Sequence, residues 1–274
     1  MHMSKLAVNG IEFAHTRQGT GDLMILVHGA IGDMRTWENQ RARLSAQYDV
    51  IAYSRRGHFP ETHIPPGTDY TVESHAQDLI GLLQLLGGQP VRLVGHSYGG
   101  AICAVVALLC PHLIRSLVLA EPSLFTLLLT QREGALAVAQ SAGAMTHVTS
   151  LIRDGRIEQG LNEYLNVILG PGGAEKITGF SRRVMLANAH TIEPMLNGMS
   201  NGGPFTAAHA AQIKVPTLLL SGEQTPDFFR LTADTLAQTI PGVERVVIPG
   251  ISHGLQLEAP EAFSRAVLDF FARH

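Results

Sequence analysis

Val91-Arg92-Leu93-Val94-Gly95-His96-Ser97-Tyr98-Gly99-Gly100-Ala101-Ile102-Cys103-Ala104-Val105-Val106 reads as a strand, a sharp turn and a helix. The lead-in is mostly apolar, the middle is rich in small residues, and the lead-out is an apolar run too long for a strand and compatible with a helix. Glycines at 95 and 99 let the turn close where a Cβ would clash. A serine at the apex of such a turn stands on strained backbone, with its hydroxyl presented at the carboxyl end of the strand. The pattern Gly95-x-Ser97-x-Gly99 is weak by itself in a chain with 28 glycines; the strand before it and the helix after it give it weight. A serine that merely caps a helix fits the local pattern too, and the remaining pieces of the site weigh against that reading.

Outward from this turn, short apolar runs recur at residues 24–27, 50–53, 91–94, 114–120, 215–220 and 243–248. Runs of this kind suit strands buried on both faces. Amphipathic stretches lie between them, for example residues 72–86, which end at Gly87-Gly88 as helices often do. The alternation predicts a parallel sheet with crossover helices. Leu6-Ala7-Val8 followed by Asn9-Gly10 predicts an amino-terminal strand and hairpin turn, not a signal peptide. Between about 123 and 212 the strand rhythm stops and glycine-separated helical segments take over, at 134–143, 157–169 and 180–195. The expected organisation is one α/β core, 1–122 and 213–274, with a helical lid inserted at 123–212.

The 274 residues are 45% hydrophobic and 16% charged, with a formal net charge of -3, which describes a compact globular chain and argues against nucleic acid as a partner. The longest apolar run, near 101–109, stops at Pro111 and is too short to span a bilayer. A soluble, cytoplasmic protein is expected. Cys103 and Cys110 stand seven apart in a helix, too far to bridge, and read as reduced core residues.

A hydroxyl is a poor nucleophile near neutral pH, so Ser97 needs a base, an acid to orient that base, and donors for the developing oxyanion. Among 13 histidines, His253 has the right place: after the last strand-like run, in Pro249-Gly250-Ile251-Ser252-His253, and before the final helix near Pro260. His96, His190 and His209 read as satisfied core or surface groups. Oxyanion donors are backbone amides, expected at Ala30, in the loop leaving Leu26-Val27-His28-Gly29, and at Tyr98, which follows the nucleophile. His28 reads as a hydrogen-bonding brace for that loop.

Together, His28-Gly29, Tyr53-Ser54-Arg55-Arg56-Gly57-His58, Gly95-His96-Ser97-Tyr98-Gly99-Gly100, Ser221-Gly222-Glu223 and Gly250-Ile251-Ser252-His253-Gly254 resemble the α/β-hydrolase superfamily over nearly the whole chain outside the lid. The resemblance implies an eight-stranded, mostly parallel sheet, a lid after the sixth strand, and neither cofactor nor metal. Serine in place of aspartate at 97 disfavours the haloalkane dehalogenase and epoxide hydrolase branches.

One departure matters. Members usually carry the acid after the seventh strand as Gly-Glu-x-Asp, and here the residues are Gly222-Glu223-Gln224-Thr225. Asp227 and Glu223 remain as carboxylates in that loop. Glu121 ends the preceding strand in Leu117-Val118-Leu119-Ala120-Glu121-Pro122, in a sheet whose ligands bind at the carboxyl ends, and is favoured over both. Zearalenone lactonases resemble this arrangement: their acid is a glutamate after the sixth strand, and their loop is similar to Thr225-Pro226-Asp227-Phe228-Phe229. Trp37, the only tryptophan, lies outside the lid, so the lid tryptophan of those enzymes has no counterpart.

Phe125, Leu127, Leu128, Met145, Tyr164, Met185, Met195, Met199 and Phe205 are candidates to wall a medium-sized apolar pocket. Arg55-Arg56 reads as structural ion pairing rather than as an acid-binding patch. The expected chemistry is hydrolysis of a small-molecule carboxylic ester or lactone through an acyl-enzyme. The same groups would serve acyl transfer, carbon-carbon bond hydrolysis or cofactor-free perhydrolysis, and a low-turnover ligand receptor is the alternative of another class. Oligomeric state is not legible.

Overall fold

Residues 3–274 are described by a computed structural model; Met1 and His2, at the start of the segment read above as no signal peptide, lie outside the described residues. Strands β1 (Ser4–Val8) and β2 (Ile11–Gln18) form an antiparallel hairpin. Its two-residue turn places Asn9 at φ 52° and Gly10 at φ 76°, the paired positive values that match strand twist. The remaining strands are β3 (Leu23–Val27), β4 (Asp49–Tyr53), β5 (Val91–His96), β6 (Ile114–Ala120), β7 (Thr217–Gly222) and β8 (Glu244–Ile248). They make one eight-stranded sheet ordered β1-β2-β4-β3-β5-β6-β7-β8, parallel from β4 through β8.

The expected sheet is therefore present, with two differences. β2 is the strand the apolar runs missed, because Ile11, Phe13 and Ala14 are its only apolar residues and it ends in the polar run His15-Thr16-Arg17-Gln18. β8 is a strand, yet Arg245, Val246 and Val247 are exposed; as the last strand of the sheet it is not buried on both faces.

Helices α1 (Glu38–Leu44), α2 (Val72–Leu85) and α3 (Tyr98–Leu109) precede β6. Between β6 and β7 the chain is helical: α4 (Arg132–Arg153), α5 (Ile157–Leu169), α6 (Gly173–Lys176), α7 (Gly179–Asn188), α8 (Ile192–Asn201) and α9 (Ala207–Ala210). After β7 come α10 (Asp227–Thr239), α11 (Leu255–Glu258) and α12 (Pro260–Phe271). The glycine-bounded segment expected at 134–143 is instead part of the 22-residue α4. Gly143 has open space around it, so it costs that helix about 1 kcal/mol without breaking it.

Successive side chains of a strand point to opposite faces, and the core divides accordingly. Ile25 and Val27 pack with α2 and α3 on one side of the sheet, while Met24 and Leu26 pack with Phe263, Val267 and Phe270 of α12 on the other. From β3, the order runs outward to β4 on one side and to β5 on the other. Such a reversal opens a crevice at the strands' carboxyl ends. It lies between His28-Gly29-Ala30, which follow β3, and Ser97, which follows β5; Val27 and Gly95 are register partners just beneath.

Cys103 is buried and Cys110 half-buried, both free. No helix among the described residues is long and apolar enough to cross a membrane.

Candidate active site

Ser97 sits between β5 and α3 at φ 55°, ψ -120°. That conformation belongs to glycine, and the neighbouring glycines show how tightly the turn is wound. A Cβ at Gly99 would stand 2.3 Å from the Val27 carbonyl, and one at Gly95 would stand 2.6 Å from the Gly99 carbonyl. The Ser97 amide donates to Ala120 O at 2.9 Å, and its carbonyl accepts from the Ser123 amide at 3.1 Å. Asn9, Ser97 and Glu121 are the non-glycine residues with positive φ among those described. Asn9 serves the hairpin; the other two hold strained backbone at adjacent strand ends, where strain usually marks function.

Glu121 follows β6 at φ 45° and is fully buried. Three donors converge on its carboxylate: the Gly222 amide on Oε1 at 2.7 Å, the Thr225 hydroxyl on Oε2 at 2.8 Å, and His253 Nδ1 on Oε2 at 2.5 Å. The competing carboxylates face elsewhere. Asp227 has a side chain 70% exposed and pairs with Arg230 at 2.9 Å; Glu223 accepts the Gly250 amide at 2.9 Å on the surface. Thr225, which cannot replace the usual aspartate, instead holds the carboxylate that does reach the histidine. Sequence reasoning missed this role, although a small hydroxyl in the acid's usual place was its signal.

The His253 ring is stacked on Phe229, centroids 3.7 Å apart and planes at 11°, with His96 at 4.7 Å. His96 donates from Nε2 to the His253 carbonyl at 3.0 Å and accepts from Gln256 at 3.2 Å, so it braces the loop. His253 Nε2 is buried without a hydrogen-bond partner among the described residues. Ser97 Oγ bonds Ser123 Oγ at 3.2 Å instead. The structure thus joins Glu121 to His253 and sets Ser97 on the neighbouring strand, with no hydrogen bond between serine and imidazole. Sites of this kind often complete that bond only around a substrate. Burial lowers His253 to about 3 and raises Glu121 to about 7, leaving a neutral ring with a free lone pair on Nε2.

His28, His58, His75 and His96 are also buried and held below the ordinary histidine value, first by burial; for the first three the Arg55 charge is the next cause. These four and His253 bind protons more readily unfolded than folded. Their contribution to stability is full above the unfolded value of about 6.5 and is lost as pH falls below it, at up to about 1.4 kcal/mol per group per pH unit. Glu121 acts oppositely: its raised value favours the folded state at low pH, a contribution lost as pH rises from its ordinary range through about 7. These five, with His15, which burial also lowers, outnumber Glu121 and set the sign. Urea midpoints are expected to fall from pH 7 to 5.5, with a mean slope of about two to three protons taken up on unfolding; a slope of one or fewer over that window contradicts this burial pattern.

The loop after β3 carries Ala30, whose amide donates to no protein acceptor among the described residues. The Tyr98 amide opens α3, where helical N–H groups lack partners. His28 braces the loop as read: Nδ1 donates to Gly29 O at 2.8 Å, and Nε2 accepts the Arg55 amide at 3.0 Å. The paired arginines part company. Arg56 forms an ion pair with buried Asp78 at 2.6 Å, as expected. Arg55 makes none among the described residues, because its guanidinium is buried against carbonyls and histidines.

A cavity of about 1090 Å³ is lined by Ala30, Ser97 and Ser123, and by Phe125, Met145, Tyr164, Met195, Met199 and Phe205 from the helical segment. Leu127, Leu128 and Met185, also candidates for its wall, do not line it. Leu128 packs with Ala137, Phe228 and Phe229. Arg153, the only lysine or arginine on the wall, is held by Glu193 at 2.5 Å.

Residues 22–260 match a family model described as alpha/beta hydrolase fold. The chain is 26% identical to serine hydrolase BPHL of Mus musculus over 97% of its length and 85% of that protein's. It is 28% identical to a 2-(acetamidomethylene)succinate hydrolase of Mesorhizobium japonicum, over 92% and 89%. A thermophilic esterase from Thermogutta terrifontis superposes with a TM-score of 0.81 at 24% identity, covering 100% of this chain and 99% of the other, a likeness of fold.

Proposed function

Since the chain belongs to the α/β-hydrolase fold family and is an α/β-hydrolase, we propose that it cleaves a carboxylic ester or lactone of a medium-sized apolar substrate with Ser97, His253 and Glu121. The observation that carries this reading is the buried Glu121–His253 pair, beside a serine held at positive φ on the wall of a large apolar cavity. His253 Nε2 takes the proton of Ser97 as Oγ attacks the carbonyl carbon; Glu121 holds the ring through Nδ1 and stabilises the imidazolium. The amides of Ala30 and Tyr98 receive the oxyanion. The imidazolium returns its proton to the leaving alkoxide, an acyl-enzyme forms, and water, deprotonated by the same histidine, releases the acid.

In this reading residues 123–212 are a lid over the core formed by 1–122 and 213–274, and the cavity between them receives the substrate. Its only arginine is already paired, which suits neutral rather than anionic esters. Glu121 beside Thr225 and the Phe228-Phe229 pair also support the likeness to zearalenone lactonases in how the acid is supplied, without the lid tryptophan.

A fluorophosphonate probe followed by peptide mapping tests the reading. The expected result is one adduct, on Ser97, together with turnover of p-nitrophenyl esters that rises with acyl chain length from acetate to hexanoate. Folded protein that takes no label at Ser97 supports a ligand receptor instead.

A further inference from the structure

Arg55 is 2% exposed, yet no carboxylate pairs with it among the described residues. A guanidinium keeps its charge at any working pH, and a buried charge without a counter-ion disfavours folding. Its role therefore lies elsewhere, and its contacts say where. Nη2 donates to the carbonyl of Gly29 at 2.9 Å and of Ala30 at 3.2 Å. The Arg55 amide binds His28 Nε2, and the same imidazole donates from Nδ1 to Gly29 O. The Ala30 carbonyl is further held by His58 Nε2 at 2.8 Å and by Thr191 Oγ1 at 3.2 Å. The guanidinium carbon also lies 4.9 Å from the centre of the Tyr98 ring, whose hydroxyl is tied to Tyr70 O at 3.0 Å.

The peptide bond makes these contacts matter. In a planar trans peptide, the carbonyl of one residue and the N–H of the next point in opposite directions. Pulling the Gly29 carbonyl toward buried Arg55 turns the Ala30 N–H away from Arg55, and Ala30 lines the same cavity as Ser97. A cationic donor on the carbonyl also polarises that peptide and makes its N–H a stronger donor. On the serine-hydrolase reading above, on which this inference rests, we propose that Arg55 is a positioning residue: it aims and polarises the Ala30 amide of the oxyanion hole, and its contact with the Tyr98 ring steadies the second donor. It touches no substrate atom.

The test compares Arg55→Met and Arg55→Lys with the unaltered protein on p-nitrophenyl hexanoate and on its thiono analogue, whose sulfur is a weak hydrogen-bond acceptor. Arg55→Met is expected to melt at the same temperature or higher, because it removes an unpaired buried charge. Its kcat on the oxygen ester should fall about a hundredfold, with KM within about threefold, and the preference for oxygen over thiono ester should shrink at least tenfold. Arg55→Lys, with charge but no fork for two carbonyls, should fall between. If the methionine variant does not fold, the lysine variant carries the same ratio test. A folded variant whose ester-to-thionoester preference is unchanged overturns the inference, whatever its absolute rate. Unaltered protein that neither labels at Ser97 nor turns over any ester overturns the serine-hydrolase reading and this inference with it. An active, labelled protein with an unmoved ratio overturns this inference alone.

Discussion

Ser97→Ala is expected to lower ester turnover by about 10⁵- to 10⁶-fold and to abolish fluorophosphonate labelling. The loss should stop short of the uncatalysed rate, because the Ala30 and Tyr98 amides would still bind an oxyanion. Position 97 also permits a check on stability. Its φ of 55° is paid for elsewhere in the fold, and glycine adopts that conformation without a Cβ clash. Ser97→Gly should be as inactive as the alanine variant and more stable than the original by about 1 kcal/mol. Urea denaturation and steady-state kinetics on the two variants read these effects. Turnover by Ser97→Ala within a hundredfold of the original removes Ser97 as the nucleophile, and with it the acyl-enzyme.

The second large effect is expected at the acid. Glu121→Gln should reduce kcat about 10³- to 10⁴-fold with a small change in KM, since the amide neither orients the imidazole nor stabilises its charged form. The Gly222 and Thr225 donors would then face a weaker acceptor. Asp227→Ala should stay within about twofold of the original, because an exposed pair such as Asp227–Arg230 contributes little. The reverse outcome, activity lost at 227 and kept at 121, moves the acid to the loop after β7. Thr225→Val should cost about tenfold, the worth of one hydrogen bond to a charged group, and Thr225→Ser should recover most of it.

The neutral state of His253 connects these expectations. Sandwiched between Phe229 and His96, the ring is desolvated and kept in the basic form a proton acceptor needs. The single hydrogen bond on Nδ1 leaves Nε2 open. Ser97 rests against Ser123, and the proposed mechanism requires it to exchange that hydroxyl for the imidazole when substrate enters.

Local pattern was enough for much of this protein. Strands β3 to β7 are short apolar runs buried on both faces, a signal carried by consecutive residues, and the turn at Ser97 announces itself through glycines that only a tight strand-to-helix connection requires. The absence of aspartate at 225 and the carboxylate closing β6 were equally legible, because each is a statement about one position at the end of one strand. Tertiary structure alone decided which carboxylate reaches His253. The two residues are 132 apart in the chain, and their meeting depends on the register of three parallel strands. It alone separated Arg55 from Arg56: adjacent in sequence, one finds Asp78 and the other the carbonyls of a distant loop. It also decided where the Ser97 hydroxyl points. Covalent neighbours dictate backbone conformation at the turn, whereas a side-chain partner is chosen by whatever the packed sheet brings within 3 Å.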